Sequence, residues 1–240
     1  MNIRHFGSFT RRDFLGTVLA AAPGLAIYPS GYRLFSSFVQ QPLPFVPFQF
    51  SKDFLWGCGS ASYQTEGAWN QDGKGESIWD RYSHTVGKII GAYSADVACD
   101  SYHRYKEDVA ILKQLYQQSY RLSVAWPRIQ ARGSGPTIEK GLDYYKRVAD
   151  ALLEANIRPV YTLYHWDLPQ ALEDAGGWLN RDLAGRFADY SQVVVKALGD
   201  RVRLWCIFNE PWVFTFLGYS WASTLPRTAA FKNVCAPPTS

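Results

Sequence analysis

The sequence predicts an α/β chain, a parallel sheet whose strands are joined by covering helices, and three observations predict it. Short β-like apolar runs alternate with longer stretches of helical period. Those runs are apolar on both faces, as strands covered on both sides are. Gln64, Arg121, His165, Asn209 and Glu210 all fall in or just after the runs. Right-handed crossovers then leave a doubly wound sheet or a (β/α)8 barrel. Chemistry gathered at the C-terminal ends of several strands is the pattern of a barrel, and no G-x-G-x-x-G follows the first run, which weakens the dinucleotide-binding alternative. The runs and helices number about four βα units, so the expectation is an incomplete barrel.

The elements follow in order. "FLWGCGSAS" (54–62) is the first β run, and a glycine-rich loop region continues to about Tyr93. A helix is expected from Asp96 to Tyr116, with Tyr102, Tyr105, Val109, Leu112 and Leu115 on one face. "YRLSVAW" (120–126) is the second run and stops at Pro127, which cannot donate to a ladder. The next helix, Ile138 to Ala155, aligns Leu142, Tyr145, Ala149 and Leu152, and Asn156 tolerates the left-handed position that ends it. "RPVYTLYHW" (158–166) is the third run. A Gly-Gly loop leads to a helix that Asn180 could cap, carrying Leu183, Phe187, Tyr190, Val194 and Leu198 and ending at Gly199. The fourth run, "VRLWCIFN" (202–209), delivers Glu210.

Ahead of these elements stands "TRRDFLG" (10–16), then the short apolar "TVLAAAPGLA". The stretch is too short, and too broken by Pro23 and Gly24, for a stable membrane helix. It resembles a twin-arginine export signal, so residues 1–26 are expected to direct export to a bacterial periplasm or beyond, with no stable membrane anchor. Residues 27–47, rich in Pro, Ser, Gly and aromatics, read as a linker. The formal charge is +4, half of it within the first 26 residues. Without a basic run or stripe, a nucleic-acid partner is not expected.

Cys58, Cys99, Cys206 and Cys235 are scattered without C-x-x-C spacing, so neither a zinc site nor any other metal or cofactor is expected. Three disulfide pairings are open in an oxidising compartment; Cys58 and Cys206 fall in β runs and read as small core residues. The chain has 9 Trp, 15 Tyr and 14 Phe, more than packing usually needs, and flat aromatic surfaces suit the apolar faces of sugars or bases.

Glu210 ends an apolar strand between Trp205 and Trp212, before a proline that should hold it extended. A carboxyl group in such a desolvated cleft rises in pKa and can donate a proton to a leaving oxygen. Asn209 could hydrogen-bond a substrate hydroxyl, and the amide of Gln64 can serve two adjacent ones. His165 and Trp166 repeat the strand-end arrangement, pairing an imidazole with a flat indole. Arg121, early in its strand, needs a carboxylate in the cleft to balance its charge. Each residue alone has a commonplace structural explanation; the set of strand ends does not.

"FLWGCGSASYQTEG", "DGKGESIWD", "DVACDSYHRYKEDVAILK", "YRLSVAWPRI", "KGLDYYKRVADALLEANIRP", "TLYHWDLPQALEDAGGWLNRD", "FADYSQVVVKALGDRV" and "FNEPW" resemble, in order and spacing, successive segments of glycoside hydrolase family 1, the β-glucosidase family. The resemblance covers residues 48–219 and implies a (β/α)8 barrel and a retaining mechanism on β-linked glucosides or oligosaccharides. It implies Glu210 as general acid/base, and Gln64, His165 and Asn209 as ligands of sugar hydroxyls. Trp166 would line the same subsite, Trp212 would face the leaving group, and Arg121 would pair with the nucleophile. No cofactor or metal is implied.

Retention requires a second carboxylate about 5 to 5.5 Å from the first. The family carries it in an I-T-E-N-G segment on strand seven, and no such segment occurs in these 240 residues. Residues 220–240 read as a divergent tail without helical or strand periodicity, for which a frameshift, premature stop or misplaced gene boundary is the expectation. Tyr116 stands where the family has a helix-ending glycine, and Leu122 replaces a phenylalanine. Four βα units leave two open sheet edges, which predicts self-association. The alternative to a hydrolase is a catalytically inactive remnant or sugar-binding half-barrel.

Overall fold

The computed structural model describes residues 49–220, and the elements below all belong to the unit Lys52–Ser240. The expected export signal and linker, and the tail from residue 221, lie outside the described residues. Four parallel strands, β1 (Gly57–Gly59), β2 (Ser119–Ser123), β3 (Arg158–Tyr164) and β4 (Leu204–Phe208), form one sheet in the order β1-β2-β3-β4. Strands that neighbour one another in strict chain order leave no point where the winding reverses. A doubly wound sheet has such a switch point and a barrel does not. The fold is therefore the opening part of a (β/α)8 barrel.

Three long helices cover the sheet. α3 (Ser101–Gln114) follows β1, α5 (Glu139–Glu154) follows β2, and α7 (Leu183–Leu198) follows β3, with α5 packed against both of the others. Short helices complete the connections: α1 (Ser62–Thr65), α2 (Ile78–His84), α4 (Trp126–Ile129), α6 (Gln170–Asp174) and α8 (Pro211–Thr215). α5 buries Leu142, Tyr145, Ala149 and Leu152, the face that its period predicts, and Asn156 takes the left-handed conformation at φ 59°. α7 buries Leu183, Tyr190, Val194 and Leu198. On α3, Tyr102, Val109 and Leu112 are buried, but Leu115 is exposed because the helix ends at Gln114 and the chain turns away.

The core between helices and sheet is built on tyrosines whose hydroxyls find partners, as buried phenols must. Tyr161 donates to the Tyr145 carbonyl (2.7 Å), Tyr190 to the Leu163 carbonyl (2.9 Å), and Tyr145 to Glu66 Oε1 (2.6 Å). Trp126 stacks on Tyr190 with ring centroids 4.7 Å apart. Glu66 also accepts from Arg128 Nε at 3.0 Å, and the Arg128 guanidinium lies 4.1 Å from the centre of the Tyr102 ring.

Several expectations need correction. The first β run shortens to three residues because α1 starts at Ser62; Gly57 permits even this pairing, since a Cβ there would lie 2.1 Å from Ser119 Oγ. The supposed loop before Tyr93 contains α2, closed by a capping box in which Ser77 and Asp80 satisfy each other's backbone. Asn180 does not cap α7. Asp182 holds that position, and Asn180 instead accepts from the Asp182 amide at 3.0 Å, closing the turn before the helix. Cys58 is exposed and Cys206 half-buried rather than core, since both belong to edge strands; with Cys99 they are free thiols.

Candidate active site

The C-terminal ends of the strands bring together residues from three separate sequence segments. Gln64 lies on α1, directly after β1; His165 and Trp166 follow β3; Asn209 and Glu210 follow β4. Ala61, Tyr63, Gln64, Trp79, His165 and Trp166 line a concavity of about 250 Å³. Sequence reasoning missed Tyr63 and Trp79. Their rings stack with centroids 5.7 Å apart, and the Tyr63 hydroxyl anchors α2 by donating to Ser83 Oγ at 3.0 Å. Trp79 enters only because α2 folds back over α1.

His165 is half-buried, and desolvation, reinforced by the nearby Arg121 charge, lowers its pKa to about 4. Its imidazole is therefore neutral near pH 7, able to donate through one nitrogen and accept through the other. Nδ1 is buried without a partner among the described residues. Trp166 sits at φ 72°, an uncommon conformation for a bulky residue, and donates its indole N–H to the Asn209 carbonyl at 2.9 Å. That bond crosses from the end of β3 to the end of β4.

Asn209 is held from every side. Its amide N–H donates to the Tyr164 carbonyl (2.9 Å), and its side-chain Oδ1 accepts from Arg121 Nη2 (2.8 Å). Because arginine only donates, the Asn209 oxygen must face it, which leaves the NH₂ group to donate elsewhere. Arg121 is steadied in turn by Nε donating to Thr162 Oγ1 at 2.8 Å. Among the described residues Arg121 thus meets a threonine hydroxyl and an asparagine carbonyl. The guanidinium is half-buried, so part of its charge remains hydrated.

Glu210 departs from expectation twice. It is exposed rather than desolvated, because β4 is an edge strand and no described element covers its far side. Nor does Pro211 hold it extended: Glu210 is left-handed at φ 45°, ψ 64°, and α8 begins with the proline. Trp212, 63 % exposed, stacks on Phe216 at 4.9 Å and stands apart from the concavity. Among the described residues no group of three or more His, Cys, Asp or Glu could hold a metal ion, and no helix is long and apolar enough to cross a membrane.

A parallel sheet in sequential order, with polar and aromatic groups from several strand ends meeting at one concave face, defines the opening units of a (β/α)8 barrel. Residues 46–235 match the profile of Glycosyl hydrolase family 1, and the chain belongs to that family. It is similar to β-glucosidase A of Acetivibrio thermocellus, with 56 % identity over 170 residues, 71 % of this chain and 38 % of that protein. Thermostable β-glucosidase B of Thermobispora bispora is 52 % identical over 189 residues, 77 % of this chain and 40 % of its own. The structure of Thermotoga maritima β-glucosidase in complex with glucoimidazole superposes with a TM-score of 0.71 at 48 % identity, over 74 % of this chain and 41 % of that one. The chain spans about two fifths of the length of the relatives it matches.

Proposed function

We propose that this chain carries the sugar-binding and proton-donating part of a retaining β-glucosidase that hydrolyses β-O-glycosidic bonds. The observation that carries the reading is the shared face: Gln64, His165 and Trp166 line one concavity, and Trp166 and Arg121 both fix Asn209 beside it. In this reading Gln64, the neutral His165 and the outward NH₂ of Asn209 bind hydroxyls of the non-reducing glucose, whose apolar face lies on Trp166. Arg121 orients Asn209, and Trp212 offers an exposed ring to the leaving group.

Glu210 is the general acid/base, donating a proton to the glycosidic oxygen and then taking one from water. The nucleophilic carboxylate comes from a segment other than those described. Closure of the remaining barrel over β4 would shield Glu210 from water. The "TRRDFLG" segment supports export through a twin-arginine route.

The test is hydrolysis of an aryl β-glucoside by this chain completed with a nucleophile-bearing second part of the barrel, and by the same assembly carrying Glu210→Gln. We expect turnover to fall by about 10² to 10⁴-fold in the variant. A sugar-binding module without catalysis is the second reading. The exposure of Glu210 favours it, and it requires glucose binding without turnover in either protein.

A further inference from the structure

Below the concavity lies a buried cluster that the reading above does not use. Asp167 follows His165 and Trp166 directly, yet its side chain turns inward and is 2 % exposed. Its Oδ2 accepts from Ser62 Oγ at 2.6 Å, Ser123 Oγ donates to Ser62 Oγ at 3.0 Å, and the Ser62 amide donates to Ser123 Oγ at 2.7 Å. Ser62 opens α1, two residues before Gln64; Ser123 ends β2; Asp167 follows β3. Three consecutive strand ends are thus tied at one point. The tie runs between the segment bearing Gln64 and the segment bearing His165 and Trp166, which are opposite contributors to the concavity.

The other oxygen of Asp167, Oδ1, is buried without a partner among the described residues. A space of about 10 Å³, lined by Asp167, Lys74, Asp80 and Glu66 among others, adjoins it. The charges there are already committed: Lys74 Nζ bonds Asp80 at 2.8 Å, and Glu66 bonds Arg128. Asp167 is the carboxyl of this group with no cationic partner. A half-satisfied buried carboxyl is costly to keep.

We infer that Asp167 is a positioning residue for the sugar subsite: through Ser62 it sets the spacing of Gln64 against His165 and Trp166, more firmly when ionised than when protonated. The chemistry follows from hydrogen-bond strength, since a carboxylate accepts a hydroxyl proton more strongly than a neutral acid does. Burial, opposed by the Ser62 bond, raises the Asp167 pKa to about 7, with Glu66 raising it and Lys74 lowering it. His165, with its pKa near 4, stays neutral across the range where Asp167 titrates. The inference rests on the proposed subsite, and the experiment separates the two.

Glucose is titrated against the full 240-residue chain by NMR between pH 5.5 and 8.5, a range in which the sugar itself does not ionise. The parent is compared with Asp167→Asn, Ser62→Ala and His165→Ala. We expect the parent's affinity to rise about threefold or more through pH 7, as a neutral acceptor becomes a charged one. Asp167→Asn, which keeps shape and one acceptor, should bind like the parent at low pH and lose the pH dependence. Ser62→Ala should bind weakly at every pH. A pH dependence that survives in Asp167→Asn, or parent-like binding by Ser62→Ala, overturns the positioning role while leaving the subsite intact. Failure of the parent to bind glucose, or parent-like binding by His165→Ala, overturns the subsite and with it the inference.

Discussion

Two desolvated ionisable side chains give the stability of this protein opposite responses to pH. Asp167 has a pKa raised from 3.8 to about 7, so its contribution is complete below about pH 3.8 and is lost as pH rises towards 7. His165 has a pKa lowered from 6.5 to about 4, so its contribution is present above about 6.5 and is lost as pH falls towards 4. Asp167→Asn removes the first response. Relative to the parent, the variant should gain stability between pH 5 and 7 by up to about 1.4 kcal/mol per pH unit. Urea midpoints at several pH values measure this, and parallel curves would refute it. The Glu66–Arg128 pair is a second residue-scale case: both side chains are buried, and Arg128 has further bonds to the Gly67 carbonyl. Glu66→Ala would strand that charge and leave the Tyr145 O–H without its acceptor, at a cost of about 3 to 5 kcal/mol in chemical denaturation. At this scale much of the site is legible in the sequence. Gln64, His165, Trp166 and Asn209 are named by their place at strand ends, and the structure gathers them. Trp79 is not legible, because nothing local to "SIWD" says which wall it will meet.

Among the elements, helix ends decide the most. Tyr116 follows α3 in the left-handed conformation at φ 54°, and its ring is 90 % exposed. The residue therefore bears backbone strain with little packing to offset it. Tyr116→Gly should stabilise the chain by about 0.5 to 1 kcal/mol, read as a higher melting temperature. Long amphipathic helices could be read from period alone: the buried faces of α5 and α7 are the predicted ones. α2 could not, since seven residues hold fewer than two full turns of pattern. Its capping box, Ser77 to Asp80, was the available signal. The expected cap at Asn180 failed by two residues because Asn180 and Asp182 are both capping residue types, and Asn180 is used to close the turn before the helix. Only the packing of α7 against α5 selects where the helix begins.

For the whole molecule the decisive feature is the pair of sheet edges. β1 and β4 each have a strand neighbour on one side only among the described residues. The apolar side chains there are exposed, with Ile207 at 58 % and Trp56 at 53 %. Exposed parallel edges with apolar faces pair with whatever strand reaches them. We expect the 240-residue chain to elute larger than a monomer in size-exclusion chromatography, and Ile207→Lys to shift it towards monomer. A sharp monomer peak for the parent would contradict this.

Period and strand-end chemistry in the sequence determined the α/β class, the alternation of strands with helices, and the residues assembled at one face. They could do so because period and turn chemistry are local properties that the chain carries wherever it folds. Only the tertiary structure decided that Arg121 bonds Thr162 and Asn209. It likewise decided that Glu210 is exposed and left-handed, and that Asp167 turns under the site to bind Ser62. These are contacts between strands 41 to 105 residues apart in the chain, and their geometry depends on which neighbour lies across the sheet, a fact that no local pattern encodes.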